Sequence, residues 1–154
     1  MASKEQSILN RIKTDLSGID GSGSYNYDFS AADRVTLAMA IEPLRVPGIY
    51  VAPLTTTTSQ TAGRTPMNRY DREMVIQVDV FVPTTSSAPG TAILAALDAQ
   101  SDVMRAMEND RSLNGLVHDL EIDASAYDGA ELDRPRMGVS TLRLRVKYSE
   151  VAGV

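Results

Sequence analysis

The segment 139–148 near the end of the chain constrains the fold most, because its two faces differ in chemistry. Successive side chains of an extended segment point to opposite faces. One face is mostly apolar and carries Ser140, Leu142, Leu144, Val146 and Tyr148; the other carries Val139, Thr141, Arg143, Arg145 and Lys147. This pattern predicts a half-buried strand of an antiparallel sheet, with a row of cations facing a partner or solvent.

Two segments have the apolar periodicity of amphipathic helices. The first covers 4–16, with Ile8, Leu9, Ile12 and Leu16 on one stripe and Gly18 as its stop. The second begins after the capping residues of 86–91 and ends near Asn109. Its apolar stripe is predicted to be Ile93, Leu94, Leu97, Met104 and Met107.

Alternating apolar residues predict the strands. The clearest is 72–82, with Met74, Ile76, Val78, Val80 and Val82 inward, and 34–42 is similar, with Val35, Leu37, Met39 and Ile41 inward. Further candidates are 25–29, 48–54, which Pro53 shortens, and 117–123, with Leu120 and Ile122 inward. The residues 124–138 are predicted to form a loop, and Thr55–Met67 a long loop or the tip of an extended hairpin.

These elements predict an α+β fold in a single domain covering 1–154. We expect one antiparallel or mixed β-sheet with two helices packed against it, in the order α-β-β-β-α-β-β with a long hairpin loop. Leu142, Leu144, Val146, Val78 and Ile76 should lie together in its core, because each falls on the apolar face of its strand.

Charge is distributed unevenly along the chain. Ten acidic and two basic residues give 98–133 a charge of −8; since the total is −5, the remainder carries +3. This acidic balance argues against a dedicated nucleic-acid binder, which needs surplus Lys and Arg. The chain has no cysteine, a polar N-terminus and no long apolar run, so we expect no disulfide, thiolate metal site or membrane span.

The sequence offers no catalytic constellation, and we predict no catalytic, cofactor-binding or metal site. His118 is the only histidine, no serine lies in a Gly-x-Ser-x-Gly elbow, and the glycines of 18–23 follow a helix and lack the lysine of a phosphate loop. The alternating acids Asp119, Glu121 and Asp123 could supply oxygen ligands to Ca²⁺ or Mg²⁺, or form a solvated or interfacial acidic face.

The arrangement resembles the tail terminator (tail completion, or minor tail) proteins of long-tailed bacteriophages. The likeness lies in the chain length and in five segments along nearly the whole chain: the helix Ile8–Leu16, the strand Gly48–Val51, the strand Arg72–Val82 before a second helix, Leu113–Val117 and the closing Leu142–Tyr148. The resemblance implies an α+β virion protein, made in the host cytoplasm, that forms a homohexameric ring at the head-proximal end of the tail tube.

Such a ring stops tube polymerisation and joins the tail to the head connector, so the implied partners are other copies of the chain, the tail-tube protein and the connector or neck protein, with DNA as passing cargo. Candidate contact residues are Thr57, Thr58 and Arg64 in the hydroxyl-rich segment, and the cationic row Arg143, Arg145 and Lys147, which we expect to meet acids of 98–133 across a subunit boundary. The alternatives are a tail-tube protein, a head-completion (neck) protein, or a small oligomeric α+β enzyme with a carboxylate site in 119–133.

Overall fold

The chain folds as two helices and five strands in a computed structural model that describes residues 2–39, 46–60, 69–84, 88, 90–129 and 137–151. In chain order the elements are α1 (Lys4–Ser17), β1 (Val35–Thr36), β2 (Gly48–Gln60), β3 (Arg69–Pro83), α2 (Thr91–Glu108), β4 (Asp119–Asp128) and β5 (Met137–Val151). The strands form one sheet in the order β1-β2-β3-β5-β4; β1 runs parallel to β2, and the other neighbours are antiparallel. This confirms the predicted α+β class and element order.

Both helices cover the same side of the sheet, which we call the helix face; the opposite side is the outer face. On β3 the five predicted apolar residues are buried on the helix face, as are Leu142, Leu144, Val146 and Tyr148 of β5. Ile76 pairs directly with Leu144, and Val78 with Leu142. The predicted core is therefore confirmed, because both strands turn their apolar sets to the same side.

Helix α1 follows the sequence pattern closely. The side chain of Ser3 caps it by accepting a hydrogen bond from the backbone N–H of Gln6 at 3.2 Å. Ile8, Ile12 and Leu16 are buried, and the helix gives way to Gly18, as predicted.

Helix α2 lies where the sequence placed it, and of its predicted apolar stripe Met107 is buried and Met104 partly buried, but the prediction is wrong for the other three residues. The buried residues are mainly small: Ala96, Ala99, Asp102, Val103, Ala106 and Met107. Ile93, Leu94 and Leu97 are instead 36%, 64% and 46% exposed.

Close packing of α2 on β5 explains this reversal. A Cβ added at Gly138 of β5 would lie 2.7 Å from the carbonyl oxygen of Ala92 and 2.9 Å from the amide nitrogen of Ala96. At that separation alanines fit between helix and sheet, so the larger side chains point away.

The strand predicted over 34–42 is also mostly wrong within the described residues. Only Val35 and Thr36 pair with β2, and the backbone N–H of Ala38 bonds back to the carbonyl of Thr36, which turns the chain away from the sheet. Leu37 and Met39, predicted to point inward, are 40% and 52% exposed. Ile41 lies outside the described residues.

Pro53 does not end its strand, contrary to prediction. β2 continues to Gln60, with an irregularity in register between Pro53 and Thr55. Proline is tolerated here because, among the described strands, β1 pairs only with Ile49 and Tyr50 and none pairs with this side of β2 beyond them, so a missing N–H costs no ladder bond. Of the predicted loop or hairpin tip Thr55–Met67, the part through Gln60 pairs with β3 as an arm of an extended hairpin, and residues 61–67 lie outside the described residues.

Two further segments differ from expectation. Residues 25–29 form no strand; one isolated bridge joins Asp20 to Asp28. The predicted loop over 124–138 is much shorter, because β4 runs to Asp128 and β5 begins at Met137. Within β4, Ala124 and Ala126 continue the alternation of Leu120 and Ile122 and lie opposite Leu142 and Ser140 of β5.

Candidate interaction surfaces

The outer half of the β2–β3 hairpin is an exposed, uncharged strand edge. Thr55, Thr56, Thr57 and Thr58 are all exposed and pair with β3 from Val75 to Arg72. On their other side no described strand pairs with them. The structure thus places the predicted contact residues Thr57 and Thr58 in a strand, whereas Arg64 lies outside the described residues.

A network of charged and hydroxyl groups holds this outer half of the hairpin at Arg72, which lies opposite Thr58. Arg72 Nη1 lies 2.9 Å from Glu5 Oε1 of α1 and 2.8 Å from Glu150 Oε2 of β5. The Tyr148 hydroxyl donates to Glu5 Oε1 at 2.7 Å. Burial opposes ionisation of Glu5, but the hydrogen bonds from Tyr148 and Arg72 outweigh it and lower the pKa of that carboxyl. The outer half of the hairpin is therefore fixed to α1 and β5 through Arg72.

The predicted cationic row lies on the outer face, and all three of its side chains are exposed. Two of them have acidic partners inside the chain: Lys147 Nζ lies 3.2 Å from Glu121 Oε1, and Arg145 Nε lies 3.6 Å from Glu73 Oε1. For Arg143, no ion pair is found within the described ranges. Arg145 and Lys147 therefore have acidic partners without a neighbouring subunit. A role of the cationic row in a subunit interface stays a prediction.

These internal pairs follow from the register of β5 with both of its neighbours, β3 and β4; on the β3 side Glu73 lies opposite Lys147, next to Arg145 on the same face. Asp119, Glu121 and Asp123 lie directly opposite Lys147, Arg145 and Arg143. The acidic and basic rows that the sequence shows are therefore neighbours on one sheet face. Exposed pairs of this kind contribute little to stability, about 0–1 kcal/mol each.

The described acids do not assemble a metal centre: within those residues no three His, Asp or Glu side chains could jointly hold an ion. Asp119 instead contacts Arg111 at 3.1 Å. His118 Nε2 lies 2.7 Å from Ser149 Oγ, which in turn donates to Asp71 Oδ1 at 2.6 Å. The Ser149 hydroxyl therefore links the His118 ring to the Asp71 carboxylate across β5.

Val139 departs from the polar character of the outer face. It is fully buried there in a second apolar cluster with Tyr50, Phe81 and Met137. Tyr50 and Phe81 meet edge to face, with ring centroids 5.8 Å apart. The sequence pattern assigned Val139 to a solvent-facing or partner-facing set, and missed that one end of the outer face has its own core.

The outward side of α2 forms a further surface, which the sequence pattern did not predict. Ile93, Leu94, Leu97 and Met104, here called the α2 stripe, lie on that side, and Met104 is partly buried. Two adjoining grooves of about 230 and 270 Å³ run beside Met104, one along Leu97 and Arg105 and the other against Leu120 and Ile122 of β4. The sequence does contain a signal for this surface, because the helix carries alanines on one side and large apolar residues on the other.

A comparison with models of known protein families found no match to this chain, and a comparison with curated proteins found none either. Neither α1 nor α2, the helices of the described residues, is long and apolar enough to cross a membrane.

Proposed function

We propose that this chain is a structural protein of a long-tailed phage virion: a tail terminator that forms a hexameric ring, caps the head-proximal end of the tail tube and joins it to the head connector. The role is non-catalytic. The first support is the element order, since the helices and strands expected from the resemblance occur in the structure in the same order along the chain. Because one fold can serve many functions, the remaining support has to come from the surface of the protein.

The observation that carries the proposal is the free edge of β2 at 55–58. A strand edge exposes backbone N–H and C=O groups that can pair with another chain, and soluble proteins usually protect such edges with charges or a covering segment. Here the edge carries four exposed threonines, and Arg72, opposite Thr58, is held to Glu5 of α1 by an ion pair. Such an edge suits a contact with the tail tube or the connector.

Charge is consistent with a conduit through which DNA moves. A net charge of −5 leaves no surplus of cations to neutralise phosphates, and two of the three cations in the outer-face row are already paired within the chain. DNA therefore fits the proposal as passing cargo.

The role is tested by deleting the gene from a phage that encodes the chain and imaging the products. Loss of a terminator should leave filled heads beside tails of uncontrolled length, and supplying the protein should restore joined particles. An absence of tails would identify a tube protein instead, and separate heads and tails of normal length a neck protein. Normal infectious particles would refute all three roles.

The edge itself is tested by complementing that deletion with Thr57→Lys. Thr57 is exposed and lies opposite Glu73, an acid that the new cation would share with Arg145, so the fold should keep its melting temperature. Head–tail joining should fall at least tenfold, because the bulky charge blocks the edge. Thr14→Lys, on the exposed side of α1, is the matched control and should complement fully. Equal complementation by both variants would remove the 55–58 edge from the interface.

A further inference from the structure

We propose that the surface between α2 and β4 binds a cationic amphipathic helix of another protein. The two adjoining grooves of about 230 and 270 Å³ beside Met104 form this surface, here called the α2–β4 groove, and both are lined by Met104 and Glu108. The inference goes beyond the terminator role and does not depend on it, because this surface is separate from the free edge of β2.

The first argument is the apolar surface that the fold leaves uncovered here. Ile93, Leu94 and Leu97 of the α2 stripe are 36%, 64% and 46% exposed. On β4, Ile122 is only partly buried, although it lies on the helix face with the buried Leu120. A cluster of exposed large apolar side chains with polar neighbours marks an interaction site, whereas single exposed residues would need no explanation.

The second argument is the shape of the groove, which suits a helix. Its lining follows α2 from Leu97 to Glu108, a length of about 16 Å, or about three turns of a second helix. Apolar side chains at i, i+4 and i+7 of such a helix would enter the groove together. A strand added to the β4 edge is disfavoured, since Asp119, Glu121 and Asp123 place a charge at every second residue there.

The third argument is charge, and it concerns Glu108. The side chain of Glu108 is exposed, and within the described ranges it has neither an ion pair nor a hydrogen bond. The two arginines that line the groove are turned to their own chain: Arg111 contacts Asp119 at 3.1 Å, and Arg105 donates to the backbone carbonyl of Ser24. The cations therefore already have acceptors, whereas Glu108 presents an unpaired carboxylate where the two grooves adjoin.

The position of Glu108 in α2 strengthens this argument. It is the last residue of the helix, where the exposed backbone carbonyls make a negative charge unfavourable. Arg105 and Arg111 each lie three residues away, yet neither forms an ion pair with it among the described contacts. The carboxylate thus contributes nothing to the described fold, and a lysine or arginine of a bound helix would supply the opposite charge.

The experiment measures binding of labelled synthetic peptides to the full-length protein by fluorescence anisotropy. The first probe is a helix of roughly 14 residues, with leucines at i, i+4, i+7 and i+11 and lysines on the other side, which is long enough to cover the groove. The second probe has glutamates in place of the lysines. The third has the composition of the first, but its leucines are distributed around the helix. The first probe should bind about tenfold tighter than either of the others.

Four single variants locate the site, and melting curves verify that each is folded. Leu97→Asn should weaken binding of the first probe about fivefold, because it removes apolar area that binding would bury. Leu37→Asn changes a leucine of similar exposure, 40%, outside the groove and should not weaken it. Glu108→Gln should weaken binding about threefold, as expected for one exposed ion pair. Asn10→Lys, on the exposed side of α1, changes the net charge equally and should have no effect.

Amide NMR shifts locate the site without any substitution. In the wild type, the shifts that the first probe causes should lie in 97–108 and 120–122, and shifts confined to other segments would place the peptide elsewhere and contradict the inference.

Several results of the binding experiment would also overturn the inference. Equal binding of the three probes would indicate a nonspecific apolar surface, and no binding would show that such a helix does not fit. Unchanged binding by Leu97→Asn would exclude the groove, and equal weakening by Asn10→Lys and Glu108→Gln would exclude a specific role of the carboxylate. If the wild type forms an oligomer that Leu97→Asn dissociates, the groove holds a second copy instead. The terminator role is decided separately by the deletion phenotype.

Discussion

Replacing Asp102 with alanine tests the reasoning about the junction between α2 and the segment before β1. Asp102 is fully buried on α2. Its carboxylate accepts hydrogen bonds at 2.9 Å from the backbone N–H groups of Asn26 and Tyr27 and from the side-chain amide of Asn26. One carboxylate thus satisfies donors more than seventy residues away in the chain.

The expected loss of stability follows from counting the donors that alanine leaves unpaired. Asn26 is exposed, so its side-chain amide can turn to water. The two backbone N–H groups cannot both do so without moving the segment, and each buried unpaired donor costs about 1–3 kcal/mol. Because such losses are not strictly additive, we expect Asp102→Ala to lower the free energy of unfolding by about 2–5 kcal/mol.

Chemical denaturation measures this loss, and amide hydrogen exchange locates it. Asp98→Ala is the control: Asp98 lies one turn earlier on α2 and is exposed, so its removal should change stability by less than about 0.5 kcal/mol. The amides of Asn26 and Tyr27 should exchange faster in Asp102→Ala only. If the two variants differ by less than about 0.5 kcal/mol, the carboxylate does not hold this segment.

Three further perturbations test other parts of the fold. Leu144→Ala should destabilise the protein by about 2–5 kcal/mol in urea titrations, because it empties a site at the centre of the sheet; a loss below about 0.5 kcal/mol would contradict the assigned core. Gly138→Ala should cost about 1–3 kcal/mol, since its Cβ would collide with the α2 backbone, and an unchanged urea midpoint would show that α2 moves freely. Burial, with Asp110 adding to it, raises the pKa of Asp15 to about 7, although Arg11 opposes the shift. The folded state then holds a proton that the unfolded chain has lost, so stability should fall by about 2–3 kcal/mol between about pH 5 and 8, and this slope should disappear in Asp15→Asn. The lowered pKa of Asp110 acts only below about pH 4, outside that interval. A slope that persists in Asp15→Asn would assign it to another group.

Local periodicity determined much of this fold. α1 and the alternating strands β3 and β5 could be predicted because each buries one continuous apolar face, and the spacing of residues such as Ile12, Val78 and Leu144 is a property of the chain itself. The α+β class followed from the order of those elements. The candidate contact segment at 55–58 was recognisable from its unbroken threonines, although not as a strand.

Tertiary structure alone decided which surfaces face outward. Apolar periodicity ranks side chains by size and hydrophobicity, but the distance between α2 and β5 at Gly138 selected alanines for the interior and left Leu94 and Leu97 outside. Strand register also decided which charges meet, because the pairing of β5 with β4 and with the distant β3 brought Glu121 and Glu73 next to the cations of β5. Packing distance and strand register are set between elements distant in sequence, so no local pattern contains them.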